Sequence, residues 1–235
     1  MIFNKVSTLI AAAGRGTRAN LPYPKTLFKI EGKEILLRIF DTTKSYDQKP
    51  TIVVSPSGKV AIKNFLSKNS REAHLVIQKE ARGMGDAVLK FENSPSFKIA
   101  EDIILIWGDV PFIRKITIQK MVERHIDKNN IFTFVTAETK MAYTRVIRDK
   151  KGNIQDLIET REEGLLIESG ERDIGLFIFK KKEIFDLLKK DLPKKYSSKT
   201  NEHGFLYLIS HLVQNGYKVE GLKIANKKEL VSLNK

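Results

Sequence analysis

The chain has no cysteine, which excludes disulfides, thiolate metal sites and cysteine nucleophiles. Its four histidines, His74, His125, His203 and His211, lack metal-ligand spacing. His211 falls in an apolar helical stretch, where a packed side chain is the expected role. No nucleophile elbow and no Ser/His/Asp arrangement points to a hydrolase. No Gly-Lys-Ser/Thr ending completes a Walker A loop. No stretch approaches the run of about 20 apolar residues that spans a bilayer. The opening MIFNKVSTLI has no signal-peptide layout, because its apolar stretch leads straight into a glycine loop. The expected location is the cytoplasm, with no membrane partner. Internal repeats and low-complexity segments are also missing.

What remains is an ordinary globular composition, 41% hydrophobic and 30% charged, in a length that suits one large domain or two small ones. The net charge is +14, from 42 basic and 28 acidic residues. Most basic residues are lysines spread along the chain. With no arginine-rich tract and no aromatic-interleaved basic stripe, nucleic acid is not the expected partner.

The first half alternates strand and helix signals. Strands are predicted at Val6–Ala12, Pro50–Ser55, His74–Gln78, Ile103–Trp107 and Ile131–Val135. Helices are predicted at Glu34–Lys44, Val60–Leu66, Met84–Phe91 and Ile116–His125, and Pro56-Ser57-Gly58 reads as a turn. The pattern then changes. Thr144–Arg148 and Ile154–Glu159 read as a hairpin through Asp149-Lys150-Lys151-Gly152. Asp173–Phe179 and Tyr217–Leu222 read as strands. Lys182–Leu188, Phe205–Gln214 and Lys227–Leu233 read as helices. The expected fold is α/β, a doubly wound, mostly parallel, Rossmann-like sheet with a small β-rich insertion on the substrate side. Residues 1–135 form its nucleotide-binding half and 136–235 its acceptor-binding half, within one domain.

The most informative stretch is Leu9–Lys25, LIAAAGRGTRANLPYPK. A buried strand ends in alanines, including Ala12 and Ala13. It delivers Gly14, Arg15, Gly16, Thr17, Arg18 and Lys25 into a loop. Small residues suit a flat base, and backbone N–H groups with cations suit phosphates. Gly14–Ala19 formally matches a dinucleotide fingerprint, but Pro22 and Pro24 fall where its helix would begin. A second motif, Trp107-Gly108-Asp109-Val110-Pro111, follows an apolar strand. Mg²⁺ prefers a hard carboxylate plus substrate phosphates, so Asp109 is a natural ligand. In the third, Gln78 ends a strand and Gly83 lies in a glycine loop. A glutamine amide can pair with a base edge, and a glycine N–H can approach one closely.

These motifs resemble the sugar-1-phosphate nucleotidylyltransferase family, in particular the pyrophosphorylase domain of bacterial bifunctional N-acetylglucosamine-1-phosphate uridyltransferases. Leu9–Lys25 resembles L-A-A-G-x-G-T-R…P-K, and Ile106–Pro111 resembles Y-G-D-V-P with Trp107 in the tyrosine's place. Arg145–Glu159 resembles R-V-V-R…G-x-I…I-V-E, and Asn201–Leu208 resembles N-x-x-G-x-x-Y-L. The resemblance implies catalytic roles for Arg15, Arg18 and Lys25. It implies nucleotide contacts at Ala12, Ala13, Gly14, Gly16, Thr17, Gln78 and Gly83. Acceptor contacts would come from Trp107, Arg145, Glu159 and Asp173. Asp109, with Asn226 or its neighbour, would hold Mg²⁺. The implied reaction joins a nucleoside triphosphate, expected to be UTP, to a sugar 1-phosphate with release of pyrophosphate. Met84 replaces a threonine, Asp173 an asparagine and Phe205 a glutamate. These departures lie on the sugar side and leave the acceptor open. The family's left-handed β-helix would begin where this chain stops, so acetyl transfer is not expected. Alternatives are a cytidylyltransferase acting on an alcohol or polyol phosphate, a metal-dependent glycosyltransferase and a non-catalytic nucleotide-binding module.

Overall fold

The computed structural model describes residues 5–14, 21–160, 164–165 and 168–233. The chain runs β1 (Val6–Ala12), a small hairpin β2 (Lys29–Ile30) and β3 (Lys33–Glu34), α1 (Ile35–Thr43), β4 (Thr51–Val54), α2 (Pro56–Lys68), β5 (His74–Ile77), α3 (Met84–Leu89), β6 (Asp102–Trp107), α4 (Lys115–Asp127) and β7 (Phe132–Thr139). It continues through β8 (Thr144–Arg148), β9 (Ile154–Glu159), β10 (Gly170–Lys180), α5 (Lys181–Lys189), α6 (Tyr207–Gln214) and β11 (Val219–Lys223).

Seven strands form one sheet in the order β11-β7-β10-β6-β1-β4-β5. Strands from both parts of the chain thus share one sheet. Pairing is parallel across β6, β1, β4 and β5 and between β7 and β11. The exception is β10, antiparallel to both β6 and β7. The expected β-rich insertion is the separate β8–β9 hairpin. The β2–β3 hairpin was not legible, because two-residue strands carry no periodicity.

Two local expectations change. Pro56-Ser57-Gly58 opens α2 rather than forming a free turn. Ser55 Oγ accepts from Gly58 N at 3.1 Å, and Pro56 occupies the first turn, where its missing N–H costs nothing. The closing helix shrinks to one 3₁₀ turn, Lys227–Leu230.

Each sheet face buries its own core. One is rich in phenylalanine, with Phe132 against Phe134, Phe177, Phe179 and Phe205 at centroid distances of 5.7–6.3 Å. The other is aliphatic, built around Ile10, Ile35, Ile52, Ile104 and Leu176. Beneath the sheet, fully buried His125 ties the first residue of β6 to β7. Its Nε2 lies 3.1 Å from Asp102 Oδ1 and its Nδ1 2.9 Å from Thr133 Oγ1. Lys180 Nζ approaches Asp102 Oδ1 at 3.0 Å. Burial raises the Asp102 carboxyl, but the hydrogen bonds from His125 and Lys180 and the neighbouring charge outweigh it, so its pKa lies below the usual value.

A folded pKa below the unfolded one stabilises the protein above the unfolded value. The Asp102 contribution is thus complete above pH 3.8 and is lost as pH falls below it. His125→Ala removes one buried partner each from Asp102, which keeps Lys180, and from Thr133, which keeps Asn130, and leaves a cavity, and should cost roughly 2–4 kcal/mol in urea unfolding at pH 7. Substrate turnover of the folded fraction should be unchanged, since this network sits at the strand ends opposite the cavity described next.

Candidate active site

In open α/β sheets, ligands bind beyond the carboxyl ends of the strands. Here β1 pairs in parallel with β6, placing Ala11 beside Trp107. The ladder continues past the strands, with Gly108 N donating to Ala11 O at 2.9 Å. The loop after β1 and the Gly108-Asp109 step therefore leave the sheet side by side. Between them lies a cavity of about 720 Å³, lined by Ala12, Ala13, Gly14, Lys25, Gln78, Gly83, Trp107 and Asp109 among others. Three separated motifs thus converge on one space. Arg15, Gly16, Thr17 and Arg18 lie outside the described residues.

Lys25 opens a 3₁₀ turn, closed by Leu27 N to Pro24 O and Phe28 N to Lys25 O, both at 2.9 Å. Pro24 supplies the extended entry to that turn. Thr26, unremarked in the sequence, also lines the cavity, and its buried Oγ1 has no partner among the described residues.

Gln78 is buried. Its Nε2 donates to Gly83 O at 3.0 Å and to Asp86 Oδ2 at 2.8 Å. Both partners are acceptors, so the amide orientation is set and Oε1 is the atom left for a ligand. Asp86 is a second residue that sequence reasoning passed over. It lies one helical turn into α3, where nothing local marks it.

Asp109 is half-buried just past β6, and its carbonyl accepts from Leu233 N at 3.2 Å. Among the described residues no three His, Asp or Glu side chains cluster as a metal cage. Asp109 lines this cavity at the strand end, together with Glu80 and Glu202, and one such carboxylate suits Mg²⁺, which takes one or two carboxylates and leaves its remaining positions to phosphates and water. Asn226 lines neither this cavity nor the next. Its Oδ1 accepts from Lys228 N at 3.0 Å and Glu229 N at 3.1 Å, capping the last 3₁₀ turn. Its side-chain oxygen is engaged in local structure.

A second cavity of about 550 Å³ adjoins the first. The two share Gly83, Met84, Trp107 and Glu202. Glu159 and Asp173 line the second cavity, and Trp107 lines both. Arg145 does not line either, and its NH2 pairs with Glu168 at 3.1 Å. Asp173 is 2% exposed. It accepts from Thr144 Oγ1 at 2.6 Å and Gly175 N at 2.9 Å, and burial pushes its carboxyl up. Gly175 has φ +76°, and a Cβ there would sit 2.8 Å from the Trp107 ring. Only glycine lets the indole lie flat against β10 at the junction of the cavities. Phe205, in place of a glutamate, is buried in the phenylalanine core.

The wall between the cavities is a clasp of two loops. His203 N donates to Arg82 O at 2.7 Å and Gly85 N donates to His203 O at 3.0 Å. A Cβ on Gly85 would stand 2.2 Å from Gly204 O, so the backbones meet only because that position has no side chain. Burial, with Lys195 nearby, lowers the His203 pKa to about 4. The clasp therefore closes around a neutral imidazole.

Residues 8–174 match the family model described as a MobA-like NTP transferase domain. The Bifunctional protein GlmU of Buchnera aphidicola is 35% identical over 164 residues, 69% of this chain and 34% of the relative. That of Clostridioides difficile is 30% identical over 239 residues, 96% of this chain and 48% of the relative. The chain thus spans half or less of these relatives' length. A solved UDP-glucose pyrophosphorylase complexed with UDP-glucose shares the fold, with a TM-score of 0.72 at 19% identity, covering 95% of this chain and 91% of that one.

Because His203 is neutral in the folded state down to about pH 4, protonation favours the unfolded chain below its ordinary value of 6.5. Stability should decline between those two values. In His203→Gln that segment of a denaturation-midpoint-against-pH curve should flatten. An unchanged slope would contradict the role given to His203.

Proposed function

The chain belongs to the family of MobA-like NTP transferase domains, and from that premise we propose that it transfers the uridylyl group of UTP to a phosphorylated small molecule of the sugar 1-phosphate type, releasing pyrophosphate. One observation carries this reading: the two cavities adjoin, sharing Trp107, Gly83, Met84 and Glu202 in their linings, with Asp109 on the first. A nucleotide in the first and a phosphate acceptor in the second would bring their reacting phosphates together there.

The acceptor phosphate is ionised at neutral pH and needs no general base. Its oxygen attacks the α-phosphorus, and the bond to the pyrophosphate leaving group breaks. Catalysis then rests on positioning and charge neutralisation. Lys25 would hold the triphosphate and stabilise the leaving pyrophosphate, with Arg15 and Arg18 joining it from the same loop, and Gly14, Gly16 and Thr17 offering backbone N–H groups. Ala12 and Ala13 would leave room for the nucleoside. Asp109 would hold Mg²⁺, which supplies charge neutralisation between the reacting phosphates when bound. Asn226, engaged as a cap, is the weaker candidate for a second ligand.

Gln78 supports uridine. With its N–H groups directed at Gly83 O and Asp86, the amide oxygen is left to accept from a pyrimidine N3–H. Uracil has that hydrogen, whereas cytosine presents a lone pair and would face oxygen against nitrogen.

Lys25→Ala should lower turnover roughly 10²-fold or more, the usual effect of losing one transition-state contact. A near-wild-type Lys25→Ala protein would sink the assignment. Asp109→Ala should abolish magnesium-dependent pyrophosphate release with the circular dichroism spectrum intact. In parallel assays kcat/KM for UTP should exceed that for CTP by on the order of 10-fold or more. A CTP preference would instead favour the cytidylyltransferase alternative.

A further inference from the structure

A buried donor without an acceptor is rare in a folded protein, because leaving it unmade costs free energy. Among the described residues, five buried side-chain polar atoms have no partner: Thr8 Oγ1, Thr26 Oγ1, Trp107 Nε1, Thr117 Oγ1 and Arg172 Nε. Three of the five belong to residues that line the two cavities, Thr26 the first, Arg172 the second and Trp107 both. The indole and guanidinium nitrogens can only donate, and a hydroxyl donates when it meets an anionic oxygen. The unmade bonds therefore gather where a ligand rich in acceptors would sit, and a triphosphate is such a ligand. Thr26 is the sharpest case. It is 1% exposed, and it follows Lys25 in the same 3₁₀ turn. Their backbones stand about 3.8 Å apart, and both residues line the first cavity together with Gly14 and Asp109. Packing alone would be served as well by valine, which has the same shape and no orphaned oxygen.

We propose that the Thr26 hydroxyl binds the triphosphate, donating to an oxygen of the β- or γ-phosphate beside Lys25 and keeping that contact with the pyrophosphate that leaves. This rests on the nucleotidyl-transfer reading above and adds a residue to its phosphate end. The hydroxyl keeps its proton throughout. It supplies a neutral donor where Lys25 supplies charge. Threonine has more than one staggered χ1, so a rotamer change turns the hydroxyl to the phosphate. Its oxygen is buried beforehand and gives up no water on meeting the ligand. A hydrogen bond to an ionised phosphate is also stronger than one between neutral groups. The ligand-free fold thus carries an unmet donor that the bound state satisfies. Removing the hydroxyl should weaken triphosphate binding without weakening the fold.

Titration calorimetry with Mg²⁺ and no acceptor compares UTP, inorganic pyrophosphate and UMP on the wild type, Thr26→Val, Thr26→Ala and Thr26→Ser. Thr26→Val and Thr26→Ala should bind UTP and pyrophosphate about 10-fold more weakly and UMP within ~2-fold of the wild type. Thr26→Ser keeps the hydroxyl and should return UTP affinity to within ~3-fold of the wild type. In thermal unfolding without nucleotide, Thr26→Val should melt at or above the wild-type midpoint. Unchanged UTP affinity in the valine and alanine variants, a loss shared equally by UMP, or a serine variant no better than valine would overturn the inference. So would a lowered midpoint in ligand-free Thr26→Val, since the hydroxyl would then have a partner within the fold. Pyrophosphate release from UTP with a panel of sugar 1-phosphates tests the underlying reading separately. UTP binding lost in Thr26→Val, with no release by the wild type from any acceptor, removes nucleotidyl transfer and leaves the Thr26 contact. Release by Thr26→Val at the wild-type KM for UTP removes the Thr26 contact and leaves nucleotidyl transfer standing. A wild type that binds neither UTP nor pyrophosphate overturns both.

Discussion

The parallel pairing of β1 with β6 is the constraint on which the rest of this structure depends. Once Ala11 lies beside Trp107, the residues that follow, Ala12–Gly14 and Gly108–Asp109, leave the sheet side by side and line one cavity. The alanine end of β1 keeps that space open, and Asp109 borders it one step beyond Gly108. Because β4 and β5 extend the same parallel ladder, the loop after β5 reaches the same edge and brings Gln78 and Gly83 with it. Each strand is buried and apolar, so the register cannot slip without moving core residues out of the two cores.

The antiparallel strand β10 is the second organising element. It interrupts the parallel order between β6 and β7, and the irregularity within it places Gly175 against Trp107. The second cavity is thus lined mostly by the second half of the chain, with Gly83, Met84 and Trp107 from the first. The loop clasp at Gly85 and His203 closes the wall. That wall is built from backbone hydrogen bonds, and a Cβ at Gly85 would collide with Gly204 O at 2.2 Å.

Most of the fold was legible in the sequence because alternating apolar runs and helical spacing are local signals. The strands β1, β4, β6 and β7 were readable from their apolar residues, and the insertion from its Asp-Lys-Lys-Gly turn. Misreadings fell where two local meanings compete. Pro56-Ser57-Gly58 suits both a turn and a helix start, and the cap from Ser55 decides for the helix. Lys227–Leu233 has helical composition, but Asn226 and Glu229 cap a single turn, and Glu229 also accepts from Arg114 Nε at 2.8 Å. That contact, between residues far apart in sequence, stops the segment from reading as a longer helix.

The candidate site divides in the same way. Lys25, Gln78, Gly83, Trp107 and Asp109 stood out by residue type and by position after a strand, and the structure brings them to one cavity. By itself, then, the sequence determined the α/β class and singled out residues that line the first cavity. Only the tertiary structure decided which donors Gln78 has already used, that Arg145 turns to Glu168 and that Asn226 caps a turn. The reason is physical. Strand and helix signals act between neighbours in sequence, whereas the environment of a buried carboxyl or amide is set by groups brought together only when the sheet is complete.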